Sequence, residues 1–182
     1  MDKWKKIVRI LAVALLLGLC GWGIYSYLSR KTGKQSNPPS SPNPNQPEIP
    51  SWKPTAERVR TDLVAQGLDG TASKILTAVA MHETGLFTSK IFKENNNLYG
   101  MKQPVRRATV SLGAKNGYAS YATITDSIED LLLWFDFHDK QVEDINKMGT
   151  VANVVSFMKS KGYFESDLNA YINAVEKHFK NL

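Results

Sequence analysis

Seven of the eight prolines in this chain fall between residues 32 and 54, mixed with Ser, Asn and Gln in the run SNPPSSPNPNQPEIPSWKP. Proline removes a backbone donor and fixes φ, and the polar residues around it supply no apolar surface. A segment of this kind therefore favours extended polyproline conformations over a packed core. At about 3.1 Å per residue it reaches at most roughly 70 Å. The chain is thereby divided, and a globular domain has to be made from the residues after 54.

The residues before the prolines are a different material. Residues 1–9 carry Lys3, Lys5, Lys6 and Arg9, after which Ile10 to Ser29 runs without a charge and Arg30-Lys31 closes it. About 20 residues at 1.5 Å rise make roughly 30 Å, the thickness of a bilayer core. Trp22, Tyr25 and Tyr27 gather toward its far end, as interfacial aromatics do. The reading is a basic flank (1–9), a single transmembrane anchor (10–30), a linker (31–54) and a domain (55–182). The slight excess of basic charge before the span puts the N-terminus inside and the domain outside the cytoplasmic membrane. A cleaved signal peptide is the competing reading, but the apolar run is long and no small-x-small cleavage site follows it cleanly.

The net charge of +6 belongs wholly to residues 1–54, which hold 8 Lys/Arg and 2 Asp/Glu, while residues 55–182 hold 15 of each. A neutral domain does not carry the basic footprint of a nucleic-acid binder. The single cysteine, Cys20, lies in the apolar run, so neither an intramolecular disulfide nor thiol chemistry in the domain is available. His82, His138 and His178 fall in no metal spacing. His82-Glu83 begins like a zinc HExxH motif but is followed by Leu86, so that reading fails. No cofactor motif is present, and no metal or cofactor is expected.

Within the domain, one stretch organises the rest: Thr71 to Lys102, TASKILTAVAMHETGLFTSKIFKENNNLYGMK. Thr71 is placed to cap a helix in which Ala72, Ile75, Leu76, Val79 and Ala80 recur at the spacing of a buried face. Glu83 continues that stripe, and Gly85 ends the helix, leaving the acid at a mouth. A carboxylate on an apolar face is costly unless paired, so its pKa should rise, which suits a general acid. The plainer alternative is a buried glutamate held by hydrogen bonds with no chemistry. Around this stretch the spacing predicts a helix over Thr55–Gln66 with Val59, Leu63 and Val64 inward, and a short helical piece over Ser89–Asn95. A hairpin at Asn116-Gly117 comes next. Three more helices are then predicted: Asp126–Lys140 capped by Thr125, one capped by Thr150, and Asp167–Lys180 capped by Ser166. Five main helices around a small hairpin make a mainly helical α+β domain.

The order Glu83, then Asn96-Asn97-Leu98-Tyr99-Gly100-Met101-Lys102, then Tyr118-Ala119-Ser120-Tyr121 before Asp126-Ser127-Ile128, then Gly162-Tyr163, resembles the bacterial glucosaminidase domain of flagellar-rod and autolysin type. That is glycoside hydrolase family 73, with a lysozyme-like fold. The family's Glu-Ser-Gly, Asn-Asn-Leu-Phe-Gly-Ile-Lys and Gly-Tyr-Ala-Thr-Asp become Glu83-Thr84-Gly85, Asn96 to Lys102, and Gly162 to Asp167 here. The match runs over roughly 57–180. The resemblance implies a peptidoglycan substrate, cleavage of the β-1,4 bond from N-acetylglucosamine to N-acetylmuramic acid, and Glu83 as general acid. It also implies Tyr163 near the reacting sugar, Asn97 shaping the cleft wall, and Tyr118 and Tyr121 lining the hairpin side. Tyr99 is a further candidate contact. Tyr99 and Tyr121 read equally well as core residues, and Asn95 to Asn97 as a turn.

Glycoside hydrolysis commonly uses two carboxylates, and many members of this family take the second from the β-lobe. Between Glu83 and Asp126 this chain has only Glu94, which would have to fold back across the cleft. Three routes stay open: attack by the substrate's own N-acetyl group, internal attack by the muramic 6-hydroxyl as in a lytic transglycosylase, or a cleft that binds glycan without cutting it. The expectation is a membrane-tethered peptidoglycan hydrolase. A non-catalytic wall-binding module of an envelope machine is the rival from another class.

Overall fold

The structure is a computed structural model, and it describes residues 51–182. The expected flank, anchor and most of the linker lie outside the described residues. Among those described, no helix is long and apolar enough to cross a membrane. Seven helices and one hairpin run in order: α1 (Lys53–Ala65), α2 (Gly70–Glu83), α3 (Lys90–Asn95), β1 (Gly113–Lys115), β2 (Tyr118–Ser120), α4 (Ile124–Phe137), α5 (Val142–Met148), α6 (Val151–Ser160) and α7 (Leu168–Asn181).

Helix α2 is the axis of the domain, packed against α1, α5 and α7. It is buried nearly all round: besides the expected apolar stripe, Ser73, Thr77, Ala78 and Met81 are also buried. The two hydroxyls are tolerated there because each bonds back into the helix, Ser73 Oγ to Gly70 O and Thr77 Oγ1 to Ser73 O. Leu63 of α1, Ile128, Leu131 and Phe135 of α4, Met158 of α6 and Val175 of α7 complete one core.

Several boundaries differ from the sequence reading, each for a local reason. Asp69, not Thr71, caps α2, its carboxylate accepting from the N–H of Thr71 and Ala72 at 2.8 and 2.7 Å. Thr123, not Thr125, caps α4 in a reciprocal box with Asp126. Thr125 instead donates its hydroxyl to Asp62 on α1 at 2.9 Å. Asp167, not Ser166, caps α7. Charged Asp competes well with Ser and Thr at these sites, and two of the three have an Asp one or two residues away. Val64 is 50% exposed, while Val59 and Leu63 face inward together with Ala56. Helix α4 stops at Phe137, where Asp139 takes a left-handed conformation and the N–H of Lys140 reaches back to Phe135 O at 3.0 Å. The separate α5 beyond it buries one side chain fully, Ile145, too little to show as a periodic stripe.

The hairpin is antiparallel, with Gly113 opposite Ser120 and Lys115 opposite Tyr118. Asn116 and Gly117 both have positive φ, the conformation of a type I′ turn. With three residues per strand it would not stand alone. It is held to the helical part by the N–H of Ala119 to Met101 O at 2.9 Å and of Tyr121 to Asn95 O at 2.8 Å.

Candidate active site

A cleft of about 410 Å3 opens between the C-terminal end of α2, the loop 99–107, the end of α4 and the turn after α6. Glu83, the last residue of α2, is the one carboxylate among its lining residues. The chain beyond Glu83 turns through Gly85, Leu86 and Phe87, all at positive φ. For the two L-residues this conformation costs roughly 1–2 kcal/mol each. It is held by the N–H of Leu86 to Met81 O and by Thr84 Oγ1, which accepts from the N–H of Phe87 at 2.9 Å. The helix is thus stopped at Glu83, and the acid faces the cleft.

Burial pushes the Glu83 carboxyl above its usual range, and a hydrogen bond from the Tyr171 hydroxyl to Oε1 partly opposes this. Among the described residues Glu83 makes no ion pair. Gly100 closes over the other oxygen. A Cβ built there would lie 3.0 Å from Oε2, and its φ of +61° is one that L-residues rarely adopt. Glycine is needed at this position for both reasons.

Tyr163 comes to the same place from the far end of the sequence. Helix α6 ends in a Schellman turn: Gly162 at φ +71°, its N–H to Lys159 O at 3.0 Å, and the N–H of Tyr163 to Met158 O at 3.0 Å. The Tyr163 hydroxyl donates to Tyr99 O at 2.5 Å, and its ring meets Trp134 edge-on at 4.9 Å between centroids. Burial, and after it the neighbouring Glu83, raises the Tyr163 hydroxyl well above the usual phenol range, so it serves as a neutral donor. Trp134, Phe137, His138 and Phe164 extend an aromatic wall beside it, and Phe164 stacks on Tyr171 at 3.9 Å. Aromatic faces of this kind suit the apolar faces of sugar rings.

Of the six residues singled out in the sequence, the structure brings Glu83 and Tyr163 together in the cleft, where Tyr99 also lines it, while Asn97, Tyr118 and Tyr121 lie outside the lining. Asn97 is buried. Its amide nitrogen donates to Met101 O and Ala119 O, each at 2.9 Å, and its oxygen accepts from the N–H of Tyr99 and of Met101. It fixes the shape of the 97–101 loop from behind instead of offering itself to a ligand. Tyr99 buries its ring in the core and presents main chain to the cleft. Tyr121 is buried with its hydroxyl on Asp130 Oδ2 at 2.8 Å. Tyr118 is outside the lining; the Lys102 ammonium, which does line the cleft, lies over its ring at 4.9 Å. Glu94 does not cross the cleft: it accepts from Asn116 at the hairpin tip at 2.7 Å.

Trp134, Phe164, Tyr171 and Gly100 are not distinguished in the sequence. Trp134 and Tyr171 sit on helical stripes that read as ordinary core. Gly100 lies in view within NNLYGMK, but its contact is with a residue 17 positions away. Among the described residues no group of three or more His, Cys, Asp and Glu could hold a metal ion.

The family described as mannosyl-glycoprotein endo-beta-N-acetylglucosaminidase, the glucosaminidase domain, matches residues 64–182. Protein bax of Escherichia coli (strain K12) is 27% identical over 77 residues, which are 42% of this chain and 28% of that protein. The chain thus spans under a third of that relative's length. No solved structure gives a significant match. The chain belongs to the glucosaminidase family, a family of glycoside hydrolases.

Proposed function

We propose that this glucosaminidase-family protein hydrolyses the β-1,4 bond between N-acetylglucosamine and N-acetylmuramic acid, with Glu83 as general acid. The observation that carries the reading is the environment of Glu83: partly buried, without an ion pair among the described residues, and in an aromatic-walled cleft. Its raised pKa favours the protonated carboxyl that a general acid needs near neutral pH. Glu83 gives its proton to the glycosidic oxygen as the bond from that oxygen to the anomeric carbon breaks. The departing sugar leaves as a neutral alcohol.

Among the described residues Glu83 is the one carboxylate lining the cleft, so no second acid is offered beside it there. That favours the substrate's own N-acetyl oxygen as the group that attacks the anomeric carbon. The resulting cyclic oxazolinium is opened by water, and Glu83, now a carboxylate, accepts the water's proton. Tyr163, held on Tyr99 O, shapes the wall where the reacting sugar would rest. The apolar segment 10–30, charge-free up to Ser29, and the proline-rich 31–54 belong to the same proposal: an anchor and tether that confine cutting to wall near the cytoplasmic membrane, with the N-terminus inside. Protease accessibility of each end in intact cells tests that part.

The activity is tested by mass spectrometry of soluble fragments released from purified peptidoglycan by the full chain, alongside Glu83→Gln. Reducing-end N-acetylglucosamine, lost with the variant, is the expected result. Anhydro-muramic ends would move the protein to the transglycosylases. No fragments, with the protein sedimenting with the wall, would make it a binding module.

A further inference from the structure

The loop Lys102–Arg107 carries an arrangement that hydrolysis alone does not require. Counted over residues 55–182 the domain is neutral, yet the cleft is lined by Lys102, Arg106 and Arg107 against the single acid Glu83. Arg107 is already engaged: its guanidinium holds Asp130 through two bonds, Nη1 to Oδ1 at 3.0 Å and Nη2 to Oδ2 at 2.8 Å. Its third bond, to Ala108 O at 2.8 Å, fixes the backbone beside it. At the other end, Met101 is held on both its N–H and its C=O by Asn97. Between them Gln103 accepts the Ser111 hydroxyl at 2.6 Å. The loop is therefore pinned at three points, while its two remaining cations stay exposed at the rim. Lys102 leans on the Tyr118 ring, and Arg106 has no hydrogen bond or ion pair among the described residues. A pinned loop presenting cations loses little entropy when they meet an anion.

We propose that Lys102 and Arg106 form a carboxylate-reading rim, so that the cleft selects glycan strands whose lactyl side arms carry negative charge over neutral N-acetylglucosamine polymers. The inference rests on the glycan-cleaving reading above and adds to it the feature of the strand that is recognised. The carboxylates have two sources on such a strand: the free lactyl group where the peptide has been removed, and the peptide's own acids where it has not. Both offer the same chemistry to an ammonium and a guanidinium.

The test uses the full chain and its Lys102→Gln/Arg106→Gln variant, so that the basic N-terminal segment is the same in both. Three glycans coupled to beads are compared: peptide-bearing, amidase-stripped with bare lactyl groups, and carbodiimide-treated with its carboxyls converted to neutral methylamides. Co-sedimentation reads binding, and fragment release reads cleavage. The variant is expected to bind charged glycans about tenfold more weakly at low salt. It should raise KM with kcat little changed, and approach the parent at about 1 M salt, where screening acts within ~3 Å. Neutralised glycans should erase the parent–variant difference, and any loss common to both proteins belongs to the basic N-terminal segment that they share. Whichever of the first two glycans keeps the parent–variant difference names the carboxylate source. Equal binding of charged and neutralised glycans by the parent, or an equal loss by the variant on both, overturns the proposal. If the parent releases no fragments but the binding difference stands, the rim holds and the hydrolase reading falls.

Discussion

Two acids stand on apolar helix faces in this domain, Glu83 at the last residue of α2 and Asp130 in the middle of α4. Asp130 is fully buried, and burial alone would push its carboxyl up, but the Arg107 fork and the Tyr121 hydroxyl reverse this and hold it below the usual carboxylate range. Glu83 is less deeply placed, has a tyrosine hydroxyl and no cation, and stays above that range. Burial is thus not what makes a candidate catalytic acid, since the deeper of the two is the one kept ionised. The partner decides. An acid with a bidentate cation becomes a structural anchor, here pinning the loop that walls the cleft. An acid with only a neutral donor keeps a proton to give.

Four substitutions would break or sharpen that contrast. Glu83→Gln should lower fragment release by roughly 10²–10⁴-fold, the usual contribution of a general acid. Its stability should move the other way. A raised pKa means the folded parent resists losing this proton, so the parent loses stability as pH rises above about 4.5 toward the raised value. The Gln variant lacks that loss, so its Tm should exceed the parent's at neutral pH and match it in more acid solution. A Tm below the parent's at neutral pH, with the gap closing on acidification, would mean that the carboxylate, not the acid, is what the fold prefers.

Arg107→Met strips Asp130 of its cation and should cost about 3–5 kcal/mol in denaturant unfolding, as when one partner of a buried pair is removed. The depressed pKa of Asp130 contributes stability that is present above its unfolded value and lost as pH falls through the folded one. The penalty of the variant should therefore be largest at neutral pH and shrink on acidification, with Arg107→Met/Asp130→Leu recovering most of it. A penalty flat with pH would show that lost packing of the arginine stem, not the stranded charge, is responsible.

Gly100→Ala puts a methyl 3.0 Å from Glu83 Oε2 on backbone at φ +61°. We expect roughly 1–2 kcal/mol of destabilisation and a larger proportional loss of kcat than of binding. Tyr171→Phe is the mildest: one hydrogen bond of about 0.5–1.5 kcal/mol is removed, so kcat should fall about two- to tenfold. Because that bond favours the charged carboxyl, the alkaline limb of the pH–rate profile should move to higher pH. A shift downward would place the tyrosine's influence elsewhere.

Much of this is open to a reader of the sequence. The α2 stripe, the helix stop after Glu83, the Asn-Gly turn and the Gly162-Tyr163 corner are local patterns, each governed by residues within a few positions. They come out where the spacing puts them. Thr150 caps α6 as expected, whereas three other caps lie one or two residues from the expected Ser or Thr, at two of those sites because an Asp stands nearby, and α5 escapes notice because one buried side chain makes no period. The candidate site divides along the same line: Glu83 and Tyr163 meet in the cleft, whereas Asn97 and Tyr121 turn their polar groups inward.

The sequence by itself determined that a charge-neutral, mainly helical domain follows a proline-rich stretch, and that one acid ends an apolar helix. Those are consequences of composition and of the 3.6-residue period. Only the tertiary structure decided that Glu83 has no cation while Asp130 has one, because Arg107 reaches Asp130 from 23 residues away. It likewise decided that Gly100, Tyr171 and Tyr163 converge on Glu83. A pKa depends on what lies within a few ångströms in space, and no one-dimensional pattern on α2 or α4 carries that distance.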